Sequence, residues 1–161
     1  MINAQNQEVY ITLRNFYLRF KHSVATGLYA HDESDIMPVI GMLWREELSE
    51  IKSNYRVLHH GAITSLIDVA GIITVAAHIP KLDILATLDL RIDYLNNCKI
   101  YDKRDLLVKA ESCILDNEIA HVKSKCFFKD TNDIYALGTA TYVLTELSEE
   151  EQRKLKDEFY I

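Results

Sequence analysis

Three features of the sequence predict an α+β fold in which an antiparallel sheet wraps around one long central helix, with further helices at both ends. Residues 61–79 form an apolar run of about five helical turns, closed by Pro80. After Pro80 the hydrophobic period changes from helical to alternating, and it stays alternating through four segments separated by turn residues. Helical spacing returns only towards the two ends of the chain. A helix that is apolar on nearly every side must be covered on nearly every side. One curled sheet covers one flank, so the pattern also predicts self-association.

Taken in order, Val9, Leu13, Phe16, Tyr17 and Phe20 fall at helical spacing and predict a helix over about 6–22. Residues 23–38 read as irregular and contain the acidic stretch Asp32-Glu33-Ser34-Asp35, a solvated loop. Residues 39–48 read as a strand that includes Trp44, and 49–58 as a polar connection. The central helix is expected over about 60–78. Beyond it, Leu88, Leu90, Ile92 and Tyr94 alternate with Thr87, Asp89, Arg91 and Asp93, which predicts a strand with one apolar and one polar face. Strands are expected over 105–115, 119–129 and 134–144, with turn chemistry at Asp116-Asn117 and Thr131-Asn132-Asp133. Ser148-Glu149-Glu150-Glu151 is a capping box opening a last helix to Tyr160. With two prolines, five glycines and no linker-like stretch or repeat, residues 1–161 read as a single domain with its core at about 39–145.

The charge balance narrows the function. A formal net charge of −6 argues against a nucleic-acid-binding surface. The start of the chain is polar, without a basic region followed by an apolar one, so no secretory signal is expected. Asp68, Thr64, Ser65, Thr74 and His78 interrupt the apolar run and argue against a membrane span. The odd set Cys98, Cys113 and Cys126 has no CxxC spacing, which suits buried thiols in a reducing, cytoplasmic compartment. Neither these spacings nor His59 and Asp68, too far apart on a helix to share an ion, suggest a metal.

The chemistry-bearing block is Leu58-His59-His60-Gly61 followed by the apolar run with its one carboxylate, Asp68. A carboxylate is costly to bury, so Asp68 is either a base or nucleophile of restricted solvation or a structural aspartate bonded within the fold or at a subunit surface. The histidine pair lies where the helix begins, and a helix start offers unpaired N–H groups and a partial positive charge. Either imidazole could bond a carbonyl or cap the helix, and Gly61 permits unusual backbone angles and close approach of a substrate. His22, His31, His78 and His121 are scattered and read as structural or solvent-facing. Thr87 opens the alternating strand, where threonine is in any case a good strand former. An acid below an anion-friendly helix start suits hydrolysis of a carbonyl substrate.

The block Leu58 to Gly71 resembles the helix-start signature of hotdog-fold acyl-CoA thioesterases, in particular their PaaI-like branch. That signature runs His-Gly-Gly, six mostly apolar or small residues, then Asp or Glu. His59 falls on the family histidine, His60 replaces the first glycine, Gly61 falls on the second, and Asp68 falls on the acid. Residues 86–95 and 136–142 resemble the family's second block and last strand, so the likeness spans roughly 39–145. The chain departs at Asn97-Cys98, where the family often has a proline-containing turn. The asparagine six residues before the family histidine falls on Ser53, with Asn54 one place off.

The resemblance implies a hotdog fold and hydrolysis of an acyl-CoA thioester to a carboxylate and free CoA. It implies a homodimer or homotetramer with each site assembled from two subunits, and no metal or organic cofactor. Asp68 would activate water or attack the carbonyl. The His60 N–H, with that of Gly61, would hold the oxyanion. His59 would orient the loop or contact the thioester, and Thr87 would position water or Asp68. A non-catalytic acyl-CoA-binding module is the alternative; a hotdog dehydratase or hydratase fits less well, because its differently spaced His and acid motifs are missing.

Overall fold

The computed structural model describes residues 4–32, 37–52, 55–95, 103–131 and 133–160. Glu33 to Asp35, Ser53, Asn54, Asn97, Cys98 and Asn132 lie outside them. The chain forms α1 (Ala4–Leu18), α2 (Lys21–Thr26), β1 (Leu28–Asp32), β2 (Val39–Met42), β3 (Ser49–Lys52), β4 (Tyr55–Leu58), α3 (His60–Ala76), β5 (Ile84–Tyr94), β6 (Leu106–Asp116), β7 (Ile119–Phe128), β8 (Ile134–Thr145) and α4 (Glu149–Phe159). Six strands make one antiparallel sheet in the order β1-β2-β6-β7-β8-β5, and β3 pairs with β4 in a separate hairpin. The sheet curls about α3, which is the hotdog arrangement that the resemblance implies.

α3 is buried along one continuous stretch from Leu66 to Ala76, apart from the half-exposed Asp68. The sheet covers one flank, but the other is covered by this chain's own α1, through Val9, Tyr10, Leu13 and Tyr17. α1 thus supplies cover that the sequence reading, counting the sheet alone, left to a partner chain. α1 itself is tied to the sheet, because the Tyr17 hydroxyl donates to the Leu85 carbonyl at 2.8 Å and accepts from the Leu85 N–H at 2.9 Å.

The first helix is shorter than its periodicity predicts. Phe20 takes an extended conformation, and the buried Ser23 hydroxyl donates to the Tyr17 carbonyl, so the chain restarts as α2. α2 ends at Gly27, whose left-handed φ of 69° suits a residue without a side chain. Residues 23–38, expected to be irregular, thus contain part of α2 and all of β1. The strand expected over 39–48 ends at Met42; Trp44 lies beyond it, its N–H donating to the Asp105 carboxylate at 3.0 Å. Residues 49–52 and 55–58 are paired antiparallel strands, not a plain connection. The remaining strands and α4 match expectation closely. The Ser148–Glu151 capping box forms in both directions, and Phe159 packs edge-on against Phe16 of α1.

β5 carries one irregularity that matters for function. A bulge between Thr87 and Asp89 leaves Leu88 without a partner on β8. It shifts the phase of the strand, so that Leu85 is buried before it and Leu90, Ile92 and Tyr94 are half-buried after it. Leu88 does not share their face, as simple alternation predicts, but is 59% exposed. Thr87 does not join the outward Asp89, Arg91 and Asp93; it turns in towards α3.

Candidate active site

The first turn of α3 presents free donors. His59 is its N-cap, and the His59 carbonyl accepts from the N–H of Ala62 and of Ile63. Among the described residues no acceptor meets the N–H of His60 or Gly61, as befits the opening of a helix. A side chain built at Gly61 would meet nothing within 4 Å. The backbone there is not unusual, since Gly27 is the glycine with positive φ among the described residues. The smallness of Gly61, not its conformational freedom, keeps the approach to these donors open.

The two histidines point their rings elsewhere. His59 makes no side-chain capping bond; its Nε2 lies 2.7 Å from the Glu50 carboxylate on β3. Glu50, Val57, Leu58, His59 and His60 line a small cleft of about 120 Å³. The His60 ring stacks on Tyr94 of β5, with centroids 4.2 Å apart and planes 19° from parallel. The Tyr94 hydroxyl also reaches the His60 carbonyl at 3.4 Å, and Thr64 donates to the same oxygen at 2.9 Å. The His60 ring is thus engaged by Tyr94, while its backbone N–H meets no acceptor among the described residues.

Asp68 sits two turns further along α3 and is half-buried. The Thr87 hydroxyl donates to Asp68 Oδ1 at 2.6 Å, an interaction made possible by the bulge in β5. The Tyr142 hydroxyl, from β8, donates to the Asp68 backbone carbonyl at 3.1 Å and fixes the helix at that residue. Burial pushes the Asp68 carboxyl above its ordinary value, while the Thr87 hydrogen bond and the nearby His22 pull it back down. Tyr17, pushed up to about 12 by burial, and Tyr142, raised well above its usual value by burial, both feel the Asp68 charge and remain protonated beside it.

The structure thus brings Asp68 and Thr87 into direct contact, and clusters His59, His60 and Gly61 at the helix start. It does not bring these two groups together within one chain. His60 and Asp68 are eight residues apart, about 12 Å along the axis.

Several neighbours were not evident from the sequence. Glu50 lies on a hairpin with no clear periodicity, Tyr94 reads as core, and Tyr142 reads as an ordinary strand residue. His22, expected to be structural or solvent-facing, comes within 2.6 Å of Ser65 on the Asp68 face of α3. No local signal marks such a contact, which only the packing of α2 on α3 creates. The other scattered histidines stay apart from this face: His31 lies edge-on to Tyr29, His78 meets the Thr74 carbonyl, and His121 meets Thr141.

Residues 55–111, which include α3 and β5, match the family model described as the thioesterase superfamily. No curated protein sequence matches the chain. Among solved structures, the PaaI protein from the phenylacetic acid degradation operon of E. coli superposes with a TM-score of 0.71 and 12% identity, over 89% of this chain and 97% of that one. A thioesterase of Haemophilus influenzae gives 0.70 and 15%, over 84% and 90%. A Pseudomonas aeruginosa protein gives 0.69 and 21%, over 83% and 98%. At these identities the superpositions speak for the fold, and the family match speaks for the block that carries the site residues. The chain is a hotdog-fold protein whose residues 55–111 carry the thioesterase-superfamily pattern, and it resembles the PaaI-like members of that group.

Proposed function

We propose that this protein hydrolyses acyl-CoA thioesters to a carboxylate and free CoA. The observation that carries the reading is the Asp68–Thr87 pair: an acid on a nearly all-apolar helix, half-buried, with Oδ1 held by the Thr87 hydroxyl at 2.6 Å. Asp68 takes a proton from water as the water oxygen adds to the thioester carbonyl. The oxyanion is received by the N–H of His60 and of Gly61. The C–S bond then breaks, and the CoA sulfur leaves as a thiolate that recovers the proton. Oxyanion donors are worth about 2.7–4 kcal/mol each in comparable sites. The chemistry asks only for water, a base and these donors.

Donors and base must both lie within about 3 Å of the reacting group. With His60 and Asp68 about 12 Å apart along α3, the reading calls for a homodimer that sets the helix start of one copy beside the Asp68 of the other. The free thiols Cys113 and Cys126 suit a reducing, cytoplasmic setting.

The test is thiol release from a panel of short, long and aromatic acyl-CoAs by the wild type and Asp68→Asn. We expect turnover by the wild type and a loss of at least ~100-fold in the variant, the lower end of what a general base contributes. Binding of acyl-CoA without turnover would make the protein a ligand-binding module instead.

A further inference from the structure

α2 is a helix of six residues, yet it is tied down along its length. The Ser23 hydroxyl, almost fully buried, donates to the Tyr17 carbonyl at 2.7 Å, and Arg45 donates to the Ala25 carbonyl at 2.9 Å. Next to the first anchor, on the exposed side, stands His22. Its Nε2 lies 2.6 Å from Ser65 Oγ. Ser65 has one proton, and it goes to the Gly61 carbonyl at 2.8 Å, so Ser65 accepts from His22 and Nε2 carries a hydrogen. Nδ1 is the ring nitrogen outside that bond. Ser65 is three residues before Asp68 and therefore shares its face of α3.

We propose that His22 belongs to the Asp68 site as a positioning residue, an imidazole held across Ser65 whose positive form keeps Asp68 ionised. The inference rests on the thioesterase reading for its catalytic meaning, but not for the His22–Asp68 coupling itself. The groups facing Asp68 are His22 from α2, Tyr17 from α1, Thr87 from β5 and Tyr142 from β8. Thr87 does not titrate, and both tyrosines stay neutral across the working range. His22 is the member of this set whose side-chain type changes charge near neutrality. Burial favours the protonated acid, which cannot accept a proton from water; a cation on the same face opposes that. Such a cation keeps the base competent to lower pH than burial alone allows.

The experiment follows the Asp68 carboxyl directly by carbon-13 NMR titration, its signal assigned by disappearance in Asp68→Asn, in wild type, His22→Gln and His22→Ala. Gln keeps an N–H donor for Ser65 without the charge; Ala removes both. We expect Asp68 to titrate at higher pH in both variants, by the same amount. The acid limb of kcat/KM should move up with it, so that the variants lose more activity relative to wild type at about pH 5 than at about pH 8, on either side of an ordinary imidazole. An unchanged Asp68 titration in His22→Gln would overturn the proposal. So would a shift in His22→Ala alone, which would assign the effect to the Ser65 hydrogen bond, or an activity loss of one factor at every pH, the mark of a merely structural role. If the wild type turns over no thioester while the carboxyl still shifts, the thioesterase reading fails and the coupling stands.

Discussion

Asp68 is asked to be charged in a place that disfavours charge. Burial raises its carboxyl above the ordinary value, and Thr87 and His22 only partly offset that. A carboxyl with a raised folded-state pKa binds its proton more tightly in the native protein than in the unfolded chain. Ionising it therefore costs stability. The cost is fully present above the folded value, shrinks as the pH falls through it, and is absent below the unfolded value of about 3.9. Asp68→Asn removes the charge while keeping an oxygen to accept from Thr87. It should raise the melting temperature at neutral pH, and the gain should fade as the pH approaches about 4. Thermal unfolding at both pH values checks this; a variant no more stable than wild type at neutral pH would show that the carboxylate is not under strain. Stability given up at a working residue is a common exchange in active sites.

Where α3 crosses the sheet, the fit between elements is set by a glycine. A Cβ added at Gly71 would lie 2.0 Å from the Tyr142 hydroxyl, on a side chain that is fully buried and cannot swing aside. Alanine in place of glycine gains about 1 kcal/mol of helix propensity. Overpacking a core of this kind costs typically 1–3 kcal/mol, and Tyr142 would also lose its bond to the Asp68 carbonyl. Gly71→Ala should therefore lower stability despite the better helix former, and lower turnover by displacing Asp68. Chemical denaturation alongside kinetics checks both; a more stable variant would mean that β8 yields easily.

The same element shows what could be read in advance. Near-continuous apolarity from Gly61 to Ile79 and a single acid made α3 and Asp68 visible in the sequence, and short strand-like runs bounded by turn residues made β6, β7 and β8 visible. The bulge at Leu88 was not visible, because one extra residue in a strand leaves no mark on composition, yet it delivers Thr87 to Asp68. β1 and the β3–β4 hairpin were also missed. They are four or five residues long, and Ile51, the apolar residue at the middle of β3, is exposed, so neither period had room to register. His22 and Glu50 reach the site by tertiary packing alone.

At the scale of the whole molecule, the open question posed by the fold is the free edge of β5. Among the described residues, this strand of eleven residues pairs with β8 alone. Long unpaired edges invite another strand unless they are covered or blunted. At Leu85 the edge is covered, since Tyr17 satisfies both its N–H and its carbonyl. Asp89, Arg91 and Asp93 supply charge further along, but between them and Leu85 the bulged Leu88 is 59% exposed, next to Thr87. A second copy is the cover that the proposed chemistry needs, because it also supplies the helix start that one chain holds about 12 Å from its own Asp68. Leu88→Asp places a charge at that contact and should shift the protein from dimer or larger towards monomer at low micromolar concentration, read by light scattering. Turnover should fall with the dimer fraction, and circular dichroism should remain that of the folded chain. An unchanged assembly would move the interface away from this edge, whereas a folded monomer with full turnover would mean that base and oxyanion donors meet within one chain after all.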